Sequence, residues 1–355
     1  MENIQQYIKN LLDSASQNRA SDLHLSPETY PTLRIDGRLV SLSNSEILRP
    51  DILRDLVLNL LGPERQGRFL TEKELDFSLQ LGDGRRYRVN AYQTEGSYAA
   101  ALHLIPAGAR SLEELNLPPI LRTFTKLSQG FVLVVGPTGH GKTATLACLI
   151  NIINKERAEK IITIEDPIEY QFKNDKSIID QREIYQDTLS FNRAVRSALR
   201  ENVNVIMISD LRDHETMSAA VTAAETGHLV FASLHTISAS QTVERIINSF
   251  PADRQYQIRN QLAATLSGVI SQRLIPRIQG GVVPAAEVMI ANTAIRTHIR
   301  DNETNQIDQT IETSQDAGMI SMDRSLANLV RRKEISLERA EFYSVDPRNI
   351  RDYGV

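Results

Sequence analysis

The apolar positions change rhythm about a third of the way along the chain. At the start, Ile4, Tyr7, Ile8, Leu11, Leu12 and Ala15 recur at helical spacing with polar residues between them. That pattern predicts an amphipathic helix. Short β-like runs follow. Thr32 to Ile35 and Arg38 to Val40 flank Asp36-Gly37 and read as a hairpin. A second pair of runs, Asp76 to Leu79 and Tyr87 to Tyr92, surrounds Leu81-Gly82-Asp83-Gly84. Between the pairs, Asp51 to Leu61 reads as a helix closed by Gly62-Pro63. Residues 1–105 are therefore expected to form a small α+β domain with an antiparallel sheet. Pro106-Ala107-Gly108-Ala109 and Pro118-Pro119 punctuate residues 106–119, which read as an interdomain linker.

Beyond the linker, continuous apolar runs replace alternation: Phe131 to Val135, Ile161 to Ile164, Val205 to Ile208 and Leu229 to Phe231. Helical patterns separate them, the sequence form of buried parallel strands. Residues 120–280 are thus expected to be an α/β core. After Gly280-Gly281 the chain reads as helical, with Ile320, Leu326, Leu329, Val330 and Ile335 as its apolar positions, so 281–355 is expected to be a C-terminal helical region. The 355 residues suffice for two cores, and 41% hydrophobic with 24% charged residues is ordinary for a globular protein. A net charge of −4 supplies no global attraction to nucleic acid or anionic lipid. Cys148 is the only cysteine, which excludes an internal disulfide framework and a multi-cysteine zinc site. No run approaches the ~20 apolar residues of a membrane span, and the start lacks a signal-peptide pattern, so a cytoplasmic protein is expected.

One motif carries most of the chemistry. Gly136-Pro137-Thr138-Gly139-His140-Gly141-Lys142-Thr143 fits G-x-x-x-x-G-K-[ST]. An apolar strand runs into it, and Ala144 opens the helix that follows. Such a loop turns backbone N–H groups toward phosphate oxygens at the positive end of a helix. Lys142 is then expected to reach the β- and γ-phosphates of ATP, and the Thr143 hydroxyl to bind Mg²⁺. A second acidic site is needed at a neighbouring strand end. Glu165-Asp166, with Glu169 beyond, and Ser209-Asp210 both follow buried-looking strands, and sequence leaves open whether Glu165 or Asp210 is the general base. His228 and His235 bracket one apolar run; histidines at strand ends are as readily ordinary polar residues as γ-phosphate readers. Cys148 is expected to pack as a small apolar residue on the phosphate-loop helix.

Taken together, the motifs resemble the type IV pilus retraction ATPases, the PilT/PilU family of secretion-type RecA-like motors. The N-terminal pieces Ala20 to Leu25, Glu74 to Ser78 and Tyr87 to Asn90 are similar to that family's PAS-like domain. Its Asp box matches Ile164 to Tyr170, its Walker B region Val205 to Asp213, and its His box Thr222 to Thr236. Related assembly ATPases carry a tetracysteine module, which a chain with one cysteine lacks. The retraction motif A-I-R-N-L-I-R-E is matched at five of eight positions by Ala294-Ile295-Arg296-Thr297-His298-Ile299-Arg300-Asp301, which favours retraction over assembly.

The resemblance implies a RecA-like P-loop ATPase domain behind the PAS-like one, and a homo-hexamer at the cytoplasmic face of the inner membrane. It implies an inner-membrane pilus platform protein as partner, a paralogous retraction ATPase as a second one, and no nucleic acid. It also implies that Glu165 and Asp210 share magnesium binding and water activation, that His228 and His235 sense nucleotide, and that Arg85 and Arg88 reach a phosphate. The chain departs from the family at several places: Ser209-Asp210 replaces Gly-Glu, His140 replaces a small residue whose substitute is expected to point outward, His103 replaces arginine, and Asn204 an acid. Asp for Glu retracts the carboxylate by roughly 1.5 Å, one C–C bond. A catalytically weak accessory subunit is therefore an alternative to an active motor, with a nucleic-acid translocase behind both.

Overall fold

The computed structural model describes residues 2–35, 37–82, 84–105 and 108–353. The expected turn residues Asp36 and Asp83 and the pair Pro106-Ala107 lie outside the described residues. The chain divides into two compact units: residues up to Gly108 together with Pro167–Gln171, and Ala109–Asp166 together with Phe172 onward.

In the first unit, α1 (Glu2–Gln17) precedes β1 (Asp22–Leu25), β2 (Thr32–Ile35), β3 (Arg38–Ser41), α2 (Pro50–Leu61), α3 (Pro63–Glu72), β4 (Glu74–Gln80), β5 (Arg86–Thr94) and β6 (Ser97–Ile105). The strands form one six-stranded sheet in the order β3-β2-β1-β6-β5-β4, antiparallel throughout. The apolar stripe of α1 buries Leu11, Leu12 and Ala15 in one core with Leu53, Leu56 and Val57 of α2 and Val89 and Leu102 of the sheet. Arg85 fastens α1, pairing with Asp13 and donating to the Leu12 carbonyl at 3.1 Å. Gly62 ends α2 by returning its N–H to the Leu58 carbonyl, and Pro63 opens α3 at once, where its missing N–H is no loss.

The second unit continues with β7 (Gly130–Val135), α4 (Lys142–Glu156), β8 (Lys160–Glu165), β9 (Ile178–Glu183), α5 (Phe191–Ala198), β10 (Val205–Ile208), α6 (His214–Glu225), β11 (Leu229–Leu234), α7 (Ala239–Asn248), α8 (Ala252–Thr265), β12 (Leu266–Pro276), β13 (Val282–Ile290), α9 (Thr293–Arg300), α10 (Ile307–Thr313) and α11 (Met322–Arg331). Its seven-stranded sheet runs β13-β12-β7-β11-β10-β8-β9, parallel except for β13. Alternate residues of the central strands enter two different cores. Val132, Val134 and Phe231 pack beneath α4, while Phe131, Leu133 and Val230 face the helices of the opposite layer. Burial on both faces is why these strands read as unbroken apolar runs. Cys148 lies fully buried in the α4 layer, and burial pushes its thiol up to about 12.

Two expectations for this unit need revision. Residues 282–290, expected to be helical, form β13, which pairs with β12 across a turn whose Gly280 and Gly281 take φ of 91° and 74°. The strand is buried along almost its whole length, so no alternation marked it in the sequence. Residues 109–119, expected as part of a linker, carry Leu112 and Leu117 into the core beneath α4. Phe231 sits fully buried on the β11 strand at the centre of this sheet. Phe231→Ala is expected to cost about 3–5 kcal/mol of stability, read as a lower urea midpoint for the second unit.

Candidate nucleotide site

The loop between β7 and α4 is shaped by close packing on β12. Gly136 holds φ 148°, and a Cβ there would lie 2.3 Å from the Gln272 carbonyl oxygen. Gly141, at φ 82°, would bring a Cβ within 2.8 Å of Gln272 Nε2. Only glycine fits either place. Gln272 itself clamps the loop: its Nε2 donates to the His140 carbonyl at 2.9 Å, and its Oε1 accepts from Thr145 Oγ1 at 2.7 Å. His140 does not point outward as expected. Its Nδ1 accepts the Leu274 N–H at 2.9 Å, a second fastening to β12. Burial, with Lys142 and Arg273 nearby, holds the imidazole below its ordinary value, which suits a ring used as an acceptor. The first turn of α4 has no side-chain cap, so its N–H groups remain for a phosphate.

Lys142 is almost buried. Its ammonium donates to the carbonyls of Gly136 at 2.8 Å and Pro137 at 3.0 Å, and lies 3.3 Å from His235 Nδ1. Thr138 Oγ1 is 3.4 Å from the same ring nitrogen. Because an ammonium has only hydrogens to offer, Nδ1 is the acceptor and Nε2 carries the proton. Nε2 then donates to Asp210 Oδ2 at 3.2 Å. Arg212 completes the chain, with Nε 2.9 Å from the same Asp210 oxygen and Nη1 3.0 Å from Asp166 Oδ2. Its hydrogen bond to Asp210, with Asp166 adding to it, raises the guanidinium above its ordinary value. Lys142, His235, Asp210, Arg212 and Asp166 thus form one connected polar line along the sheet edge. A cavity of about 390 Å³ opens beside it, bounded by Asp210, Arg212, His235, Thr236 and Arg245.

The strand order ranks the two acids. β11 lies next to β7, β10 next to β11, and β8 beyond β10. With about 4.8 Å between neighbours, Asp210 belongs to a strand roughly 10 Å from β7 and Glu165 to one roughly 14 Å away. Glu165 is buried, its Oε1 accepting from Thr163 Oγ1 at 2.7 Å and Gln181 Nε2 at 3.1 Å. Asp210 keeps one carboxylate oxygen, Oδ1, buried with no partner. An unpartnered acceptor at this strand end, on the same sheet edge as the phosphate loop, fits a magnesium shell or a nucleophilic water. Among the described residues no cluster of three or more His, Cys, Asp or Glu could cage a metal alone.

One expected site residue, His228, lies at the opposite sheet edge. The parallel register sets Gly130 beside Leu229 and Val135 beside Leu234, so the loop and His235 share one sheet edge while His228 lies at the other. Six residues of strand, about 20 Å, separate His228 from the loop. Its Nδ1 faces the Ala223 carbonyl at 3.0 Å, closing the end of α6. Arg85 and Arg88 belong to the first unit. Arg85 holds α1, and Arg88 pairs with Asp76 at 3.3 Å and Glu169 at 3.4 Å. Sequence reading missed Arg212, only two residues past Asp210, and Gln272, which has no local signal because its partners are about 130 residues earlier in the chain. In the retraction-like segment, Ile295 and Ile299 are buried, and Arg296 donates to the Ala263 and Ala264 carbonyls at the end of α8 and to the Ala291 carbonyl just past β13.

Comparison with known proteins agrees with this fold. A family described as Type II/IV secretion system protein matches residues 99–351. The type IV pilus retraction ATPase PilT of Pseudomonas aeruginosa is 39% identical over 342 residues, 96% of this chain and 99% of its own. The type IV pilus ATPase PilU of the same organism is 35% identical over 331 residues, 93% of this chain and 86% of its own. A crystal structure of the pilus retraction motor PilT with bound ADP matches at a TM-score of 0.90 and 40% identity, covering 96% of this chain and 98% of that one. With loop, acids and β12 clamp arranged as above, the chain belongs to the Type II/IV secretion system protein family, among its type IV pilus retraction ATPases.

Proposed function

We propose that this chain is the ATP-hydrolysing subunit of a homo-hexameric motor that drives type IV pilus retraction. The observation that carries this reading is the Lys142–His235–Asp210 line, which ties the phosphate loop to the acid that would act on water. Similarity to PilT over nearly the whole length supports the pilus assignment. The pilus platform protein at the inner membrane is the partner proposed to receive the work, with a PilU-like paralogue beside it. No helix among the described residues is long and apolar enough to cross a membrane, so attachment to the cytoplasmic face would come through such partners.

In this mechanism the α4 N–H groups and the loop from Gly136 to Ala144 bind the phosphates. Lys142 turns from the Gly136 and Pro137 carbonyls toward the β- and γ-phosphate oxygens, exchanging neutral acceptors for charged ones. Thr143 and Asp210 would hold magnesium, with Glu165 in support, and that ion would neutralise charge on the phosphate oxygens. Asp210 Oδ1 would orient the attacking water, while Arg212 and His235 hold Oδ2. Once Lys142 leaves, His235 Nδ1 loses its ammonium donor, so the ring that holds Asp210 Oδ2 responds to nucleotide state. His228 is left with the structural contact described above.

A second reading, an accessory subunit that binds ATP and hydrolyses it weakly, is favoured by the short Asp210 side chain and by the two donors on its Oδ2. Purified full-length protein distinguishes the two. The motor reading expects turnover of about 1 s⁻¹ or more, lost at least 10²-fold in Lys142→Ala. Wild type that binds ATP without turning it over, with Asp210→Glu restoring hydrolysis, would establish the accessory role instead. In cells lacking the native gene, the wild-type chain should restore twitching and Lys142→Ala should not; equal restoration by both would refute the retraction-motor assignment.

A further inference from the structure

His235 is useful only if its ring is held between Lys142 and Asp210, yet it lies on a connection between β11 and α7 and not within a strand. Its support comes from a distant part of the chain. Ser271 on β12 and Glu287 on β13 are directly paired across the hairpin, and paired residues of an antiparallel ladder share one face. Ser271 Oγ donates to the Ile237 carbonyl at 2.8 Å, and Glu287 Oε1 accepts the Ala239 N–H at 2.8 Å. The two bonds hold both ends of the turn that follows His235. Glu287 is 5% exposed and stands at the start of the ten-residue α7, where Ser238 already caps the Gln241 N–H.

We propose that Glu287 is a positioning residue for ATP hydrolysis: together with Ser271 it clamps the turn 237–239 and so fixes His235 between Lys142 and Asp210. The clamp has two strengths. An ionised carboxylate meets the Ala239 N–H and the positive end of α7 with its full charge, whereas the neutral acid offers an ordinary carbonyl oxygen. The groups around Glu287 place that change in the working pH range. Burial, with Asp308 of α10 and Asp323 of α11 adding to it, raises the carboxyl, while the Ala239 hydrogen bond and Arg273 of β12 lower it, leaving it at about 7. On α7 itself, Ser240 donates to Asp308 at 3.1 Å, and Glu244 accepts from Thr304 Oγ1 at 2.7 Å.

This inference rests on the role proposed for His235, so the test includes His235→Ala. Steady-state hydrolysis by the full-length protein would be followed between about pH 6 and pH 8. Wild-type kcat should climb with pH through an inflection near 7, following ionisation of Glu287. Glu287→Gln keeps an acceptor oxygen without charge. Its kcat should be flat at the wild type's low-pH level, roughly fivefold below wild type at high pH, with KM for ATP changed less than about twofold. Ser271→Ala should lower kcat while keeping the inflection, because the carboxylate is untouched. A Glu287→Gln profile that overlays wild type, while His235→Ala lowers kcat, overturns the clamp alone. If His235→Ala turns over as wild type does, the role of His235 and the clamp both fall.

Discussion

The shared direction of β7, β11, β10 and β8 is the constraint on which the site depends. Parallel strands must be joined by crossovers, so every strand ends at the same edge of the sheet. The phosphate loop, His235, Asp210 and Glu165 each follow or close one of those strands, and the fold delivers them side by side although they are spread over 100 residues of chain. The same rule removes His228, which precedes β11 and therefore lies at the opposite edge. Two histidines that bracket one strand look equivalent in sequence, yet the direction of that strand separates them by its whole length.

A phosphate loop needs a wall as well as a helix, and β12 supplies it. Gln272 touches both the loop backbone and α4, while the Leu274 N–H, two residues further along β12, holds His140. β12 is also paired with β13, whose Glu287 reaches the turn after His235. One hairpin therefore braces the loop that would carry the phosphates and the residue placed between Lys142 and the Walker B acid. Movement of that hairpin would reach both through backbone hydrogen bonds and short side chains, a coupling that needs no relay through the hydrophobic core.

Asp210 illustrates how a departure from the expected residue is accommodated. Its carboxylate is shorter than that of the usual glutamate, but Arg212 and His235 both donate to one oxygen and leave the other buried and unpartnered. Paired donors set the orientation of a carboxylate more strictly than solvent does. The line that ends at Asp166 joins the β10 acid to the β8 segment, so the two acids that sequence could not rank belong to different hydrogen-bond sets. Asp210 lies on the Lys142 side, and Glu165 is held by Thr163 and Gln181.

Local pattern alone determined the antiparallel domain at the start, the four central buried strands, the phosphate loop with Lys142 and Thr143, and both strand-end acids. Each is written within a few residues: a strand followed by glycines and a lysine, or an apolar run ending in a carboxylate. The tertiary structure alone decided the rest. β13 escaped notice because a strand covered on both faces loses the alternation that would announce it. Gln272, the outward-or-inward choice of His140, and the clamp by Ser271 and Glu287 depend on which strand lies beside β7, and strand order is set by packing among distant segments. Hydrogen bonds between residues more than 20 positions apart leave no period in a sequence, so only the folded chain places His235 at the phosphate-loop edge of the sheet and His228 at the other.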